Sequence, residues 1–212
     1  GNGVCDVLTG RVNPCGRLTD TIAECIEDYP CTANFGDAKR NYYKEDIYVG
    51  YRYFETFAKN KVIYPFGYGL SYTTFSMESA FAEQKDSIEV KTTVRNTGNL
   101  AGKEVVQVYI EAPQVALDKM GFFDDFGKKI SSAGQEAIAK TKELASGETQ
   151  TVTITIPKSV YASYDDTGAT GHKDCFLLEA GMYGIYVGAD VRSAERVAEY
   201  EQDFLIIEDL EE

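Results

Sequence analysis

Beyond residue 75 the chain settles into short runs in which apolar and polar residues alternate. In "SIEVKTTVRN" (87–96), Ile88, Val90, Thr92 and Val94 share one face, and Glu89, Lys91 and Thr93 the other. That period of two is the signature of a half-buried strand. "EVVQVYI" (104–110) places Val106, Val108 and Ile110 on one side, and "QTVTITI" (150–156) turns Val152, Ile154 and Ile156 inward. "MYGIYVGA" (182–189) sets Met182 on one face and Tyr183, Ile185 and Val187 on the other. "EYEQDFLII" (199–207) is a last candidate strand, and "NTGN" (96–99) is a turn. Short alternating strands separated by turns predict an antiparallel β-sandwich. Residues 113–140, with "GFFDDFGKK" and an Ala/Ser-rich stretch, interrupt the series and read as a long, partly mobile insertion.

The first seventy residues follow another plan. Val4, Val7 and Leu8 recur at helical spacing within 3–9, and Gly10 is placed to stop the helix. "VNPCG" (12–16) is turn chemistry. "TIAECIEDYP" (21–30) reads as a short helix or an irregular segment ending at Pro30, and 31–46 is polar without a period. "DIYVGYRYFETF" (46–57) is aromatic and rich in β-formers, which predicts an extended, half-buried segment. These elements are too few to close a core, so the stretch looks like the tail of something larger.

Composition narrows the function. The chain has 212 residues, 43% of them hydrophobic, and a net charge of −13 from 21 basic and 34 acidic residues. No basic stripe is available to displace counterions, which excludes nucleic-acid binding and disfavours anionic membranes. The five cysteines (Cys5, Cys15, Cys25, Cys31, Cys175) are odd in number and form no CxxC. Free thiols in a reducing, cytoplasmic compartment are expected. No zinc-finger spacing occurs, and any histidine-dependent catalysis would rest on His172, in the loop "DDTGATGHKD". No metal or cofactor is expected.

Three acidic pairs, Glu45/Asp46, Asp124/Asp125 and Asp165/Asp166, invite a glycosidase reading. Glycoside hydrolysis needs two carboxyls facing each other across the bond. Neighbours on a strand point to opposite faces, so no adjacent pair supplies this. The pairs read as solvated loop charge, and none has the spacing of a calcium loop. A nucleotide fingerprint at Gly67-Tyr68-Gly69 would need a strand before it, a third glycine and a helix after it, and β-prone residues follow it instead.

"YPFGYGLSYTTF" (64–75), preceded by "DVLTGRVNPCGRL" and "EDIYVGYRYFE", resembles the C-terminal region of glycoside hydrolase family 3, the β-glucosidases and relatives. So do "VRNTGNLAGKEVVQVYIEAP", "KTKELASGETQTVTI" and "LEAGMYGIYVGAD", in the family's order. The sequence departs from the family at "GRLTDTIA" (16–23), which lacks two prolines, at Cys5 and Cys15, and at Asp46.

The resemblance implies a mainly β fold. Residues 1–70 would be the C-terminal remnant of an α/β sandwich domain with an inter-domain joint. Residues 71–212 would be a fibronectin III/immunoglobulin-like antiparallel β-sandwich with the insertion at about 113–140. The family's catalytic aspartate and glutamate have no counterpart here, so no catalytic residue is carried over. The parent would be a retaining β-glucosidase acting on β-glucosides or oligosaccharides, and its remaining catalytic domains would be the partners of this non-catalytic portion. "YPFGYGLSYTTF" then reads as the joint: Pro65 stiffens it, Gly67 and Gly69 let it turn tightly, and Tyr64, Phe66 and Tyr68 wedge between domains. Tyr51, Arg52, Tyr53 and Tyr68 are the candidates for lining a sugar cleft. The tail "VRSAERVAEYEQDFLIIEDLEE" is expected to lead onward to a further domain. The rival is a free-standing immunoglobulin-like carbohydrate-binding or adhesion module, which would have no use for residues 1–63.

Overall fold

The structure is a computed structural model that describes residues 1–36, 39–40, 42, 45, 48–113 and 134–210, without the side chains of 134–136. It opens with helix α1 (Asn2–Leu8), where the apolar spacing predicts one. Gly10, at φ 72°, ends it. The segment 21–30 divides: strand β1 (Ile22–Ala23) is followed by a 3-10 turn at Ile26–Asp28, and Pro30 begins a second such turn instead of closing the first. β1 pairs antiparallel with β2 (Val62–Tyr64).

Between them lies the main departure from the sequence reading. The described part of 46–57 is not extended: Tyr51–Phe57 is helix α2. Seven residues rich in aromatics have little helical stability of their own. Tertiary packing decides the outcome. Gly50, at φ 60°, turns the chain into the helix, and the helical period carries Phe54 and Glu55 inward together.

The remaining described residues form three antiparallel sheets. Strands β3 (Phe75–Glu83), β4 (Ser87–Asn96) and β7 (Thr149–Pro157) make one, in the order β3-β4-β7. Strands β5 (Val105–Glu111), β6 (Gly134–Lys140), β10 (Gly181–Gly188) and β11 (Glu195–Gln202) make the second, in the order β11-β10-β5-β6. Strands β8 (Ser163–Asp165), β9 (Cys175–Leu178) and β12 (Leu205–Asp209) make the third, in the order β12-β9-β8. The expected faces converge on one core: Ile88, Val90 and Val94 meet Val106, Val108, Ile110, Ile154, Ile156, Tyr183, Ile185 and Val187. The sandwich is therefore closed by the residues whose alternation predicts it.

Two readings need correction. The single strand expected over 199–207 is two strands in different sheets, because the chain leaves the second sheet at Asp203 and re-enters the third at Leu205. The insertion expected at 113–140 ends early, because Gly134–Lys140 is β6, paired with β5. Residues 114–133, including Asp124 and Asp125, lie outside the described residues, as does Asp46.

Candidate functional site at the joint

β5 is buried on both faces. Val106, Val108 and Ile110 point into the sandwich, as their alternation requires. The opposite face, Val105, Gln107 and Tyr109, is buried as well, although alternation alone would give it to solvent. What covers it is the joint. Tyr109, Tyr186, Val191 and Ala194 form a second apolar cluster, with Tyr51 of α2 and Phe66 packed against it. Tyr51 stacks on Phe66 at 4.7 Å, and Tyr109 meets Tyr51 edge-on at 6.4 Å. Such ring pairs contribute about 0.5–1.5 kcal/mol beyond their area.

Backbone hydrogen bonds set the path. The Gly67 N–H donates to the Leu18 carbonyl (2.9 Å), the Leu18 N–H to the Tyr68 carbonyl (2.8 Å), and the Val191 N–H to the Phe66 carbonyl (3.2 Å). Three segments far apart in sequence meet here. Gly67 sits at φ 81°, and a Cβ there would come within 2.6 Å of Gln107 Nε2 and 2.8 Å of the Asp190 Cα. Only glycine satisfies both the dihedral and the close approach. A Cβ at Gly69 would meet the Gly16 carbonyl.

Polar contacts complete the seam. The Arg17 guanidinium donates to Glu104, and both side chains are largely buried. Arg192 Nε donates to Glu55 Oε1 at 2.8 Å and its Nη2 to the Lys59 carbonyl at 3.0 Å, while Lys59 Nζ lies 3.3 Å from Glu55 Oε2. Asn13 Nδ2 donates to the Ala101 carbonyl at 2.9 Å, and Asn13 Oδ1 accepts from the Tyr72 N–H at 2.8 Å. Gln107 Nε2 donates to the Ala189 carbonyl, and Gln107 Oε1 accepts the Tyr109 hydroxyl at 2.7 Å. Burial pushes the Tyr109 phenol well above its ordinary range, so it remains a neutral donor. Burial, and then the Glu111 carboxylate 2.6 Å away, push Tyr186 up to about 12.

This arrangement fastens two pieces together, and its buried carboxylates, Glu55 and Glu104, are each held by an arginine. Among the described residues no group of three or more Cys, His, Asp or Glu could hold a metal ion. The sequence candidates fare unequally. Tyr51 belongs to the seam. Tyr53 lies edge-on to Phe54 and tilted on Phe57, and the Arg52 carbonyl accepts the Thr56 hydroxyl within α2. Tyr68 leans on Tyr64 at 4.9 Å, so of the three proposed wedges Phe66 packs into the seam, while Tyr64 remains 43% exposed. Arg17, Glu55, Glu104 and Arg192 escaped the sequence reading because their partners are 87 and 137 residues away.

The acidic loop pair at 165–166 is also not what it seemed. Asp165 is fully buried, and its carboxylate accepts the N–H groups of Gly168, Ala169 and Thr170 and the Thr170 hydroxyl. Burial alone would raise its pKa, but these donors hold it well below the usual carboxylate range. It is a structural pin within its own loop. His172, in that loop, is exposed, with its ring 5.3 Å from Phe204.

Residues 1–72 match the model of the glycosyl hydrolase family 3 C-terminal domain. Over its whole length the chain is 46% identical to a beta-glucosidase of Ruminococcus albus, of which it covers 21%. The chain belongs to glycoside hydrolase family 3. Within that family it is 45% identical to beta-glucosidase A of Butyrivibrio fibrisolvens, with 92% of the chain and 24% of the relative aligned. Its fold matches a beta-glucosidase from Paenibacillus barengoltzii with a TM-score of 0.88 at 48% identity, over 99% of this chain and 23% of that one. Beta-glucosidase 3B from Thermotoga neapolitana gives a TM-score of 0.78 at 37% identity, covering 96% of this chain and 27% of that one. The family 3 chain thus spans about a fifth to a quarter of the relatives' length.

Proposed function

We propose that this family 3 chain is the non-catalytic C-terminal portion of a retaining β-glucosidase and that its work is to brace the catalytic domains. The observation that carries the reading is the seam. Helix α2, the 64–72 turn and the Gly16–Leu18 strip are fixed to the outer face of β5 and β10 by rings, ion pairs and backbone hydrogen bonds. A division near residue 70 accounts for this: an α/β remnant before it, a fibronectin III-like sandwich after it. The substrate proposed for the parent is a β-glucoside or oligosaccharide, in keeping with the names of its relatives. Tyr53 and Tyr68, with Arg52, remain the candidates for the cleft rim, whereas Tyr51 is already engaged in the seam. We place the parent in the cytoplasm, supported by cysteines that are all thiols, two of them, Cys5 and Cys25, exposed. The purified chain, assayed on an aryl β-glucoside beside the full-length parent, is expected to show no turnover while the parent hydrolyses it. Turnover by the chain that survives removal of contaminating glycosidase would refute the reading.

A further inference from the structure

The third sheet carries a row of side chains that the seam does not use. Phe176 on β9 pairs with Tyr164 on β8 and with Glu208 on β12. Directly opposed residues share a face. Two rings and a carboxylate therefore line up across three strands, a width of about 10 Å. The Tyr164 and Phe176 rings lie 5.0 Å apart at 42°, and Tyr164 stays 42% exposed. Its hydroxyl donates to Asp174 Oδ1 at 3.0 Å. That carboxylate pushes the phenol above its ordinary value, so the ring stays neutral. Asp174 is itself fixed: its N–H donates to the Asp165 carbonyl at 2.7 Å, and its carbonyl accepts the Leu210 N–H at 3.1 Å. Among the described residues it alone, glycines aside, has a positive φ, 56°.

We propose that this row is a binding surface for a neutral, β-linked gluco-oligosaccharide, with Tyr164 and Phe176 as the platform and Asp174 and Glu208 as acceptors for its hydroxyls. The negative face of an aromatic ring attracts the polarised C–H groups of a sugar ring, and carboxylates take the O–H donors at its edge. A ring already pinned at its hydroxyl gives a large contact area at little cost in side-chain freedom. Charge narrows the occupant. Asp166, Asp174, Glu208 and Asp209 lie in or beside the three strands, against Lys173, on a chain of net charge −13. That field repels nucleic acid, anionic lipid and acidic proteins, and leaves an uncharged, hydroxyl-rich ligand unopposed. The choice of β-glucose as the sugar rests on the substrate proposed above, whereas the platform rests on the rings and carboxylates alone.

The 212-residue chain is run in native gels cast with and without a soluble mixed-linkage β-glucan, and is titrated with cellohexaose while its tyrosine fluorescence is followed. Retardation by the glucan and a saturable change with cellohexaose are expected. Tyr164→Ala should weaken both more than tenfold. Asp174→Asn, which tolerates the positive φ, should weaken both more than threefold. Ile138→Ala, at a side chain 60% exposed on the second sheet, should leave binding intact. Circular dichroism checks the fold of each variant, and where Tyr164→Ala does not fold, Glu208→Gln takes its place with a loss of more than threefold. A wild-type chain that the glucan does not retard, or equal binding by wild type and the folded variants of the row, overturns the proposal. Self-association in light scattering that Tyr164→Ala abolishes would give the face to a second copy and also overturns it. Hydrolysis of an aryl β-glucoside by the full-length parent is scored separately, so that an inactive parent sinks the functional reading while the binding surface is decided by the gels and the titration.

Discussion

The two faces of β5 show how differently the two regions of the chain are built. On the inner face, Val106, Val108 and Ile110 share a core with the alternating runs of β4, β7 and β10, to which Leu144, Tyr161 and Leu178 add. On the outer face, Gln107 and Tyr109 meet a helix, a turn and a loop that no local pattern marks as neighbours. The sandwich closes its own core, whereas residues 1–72 acquire their shape from the sandwich they lean on. A region with a repeated period is organised by burial along each strand. A region without one is organised by single contacts, each of which must be right.

The comparison can be broken first at the core. Ile185→Ala removes a fully buried branched side chain and is expected to cost about 2–5 kcal/mol. Chemical denaturation followed by far-ultraviolet circular dichroism should show the midpoint fall for the whole chain. A change of similar chemistry outside the core, Leu8→Ala, should stay within about 0.5 kcal/mol, since that side chain is 76% exposed.

Gly67→Val tests the seam. The new side chain meets the Asp190 backbone at a positive φ, so a loss of about 2–3 kcal/mol is expected. The characteristic readout is limited proteolysis: residues 1–72 should become cleavable while the sandwich persists. Simultaneous loss of both would mean that the two regions fold as one cooperative unit.

Asp165→Asn should cost about 2–3 kcal/mol, because a buried network loses its negative charge and one of its two acceptor oxygens, and gains an amide donor facing N–H groups. The folded pKa lies below the unfolded value of about 3.9. The stabilisation is therefore present above pH 4 and is lost as the pH falls through the folded value. Acid titration of stability should be shallower in the variant than in the wild type.

Arg192→Ala is the mildest of the deliberate breaks. Glu55 keeps Lys59, and Arg192 is partly exposed, so about 1–2 kcal/mol is expected. Hydrogen exchange should quicken at the α2 amides of Phe54 to Ala58 and remain slow in β4. Unchanged exchange in α2 would show that the aromatic stack alone holds the helix.

The alternating runs of β4 and β7 were legible because burial on one face imposes period two on the sequence itself, and in β5 and β10 the core-facing residues could be picked out although the other face is covered as well. The motif order also identified the family without any structure. Strand β6 and the break at Asp203 were not legible. β6, "GQEAIAK", turns only Ala137 and Ala139 toward the core and Ile138 to solvent, so its place is assigned by pairing with β5, and the break depends on which sheet each half can join. The same holds for α2. Its β-prone residues become helical because Phe54, Glu55 and Tyr51 then reach Tyr29, Arg192 and Phe66, a gain no local propensity encodes. Asp165 reads as surface charge until its loop wraps donors around it. What the amino-acid sequence determined by itself is which residues must leave water, and hence the sandwich and the family. The tertiary structure alone decided which distant segments meet at the joint, because ion pairs spanning 87 and 137 residues and ring contacts between separate elements leave no period in the chain.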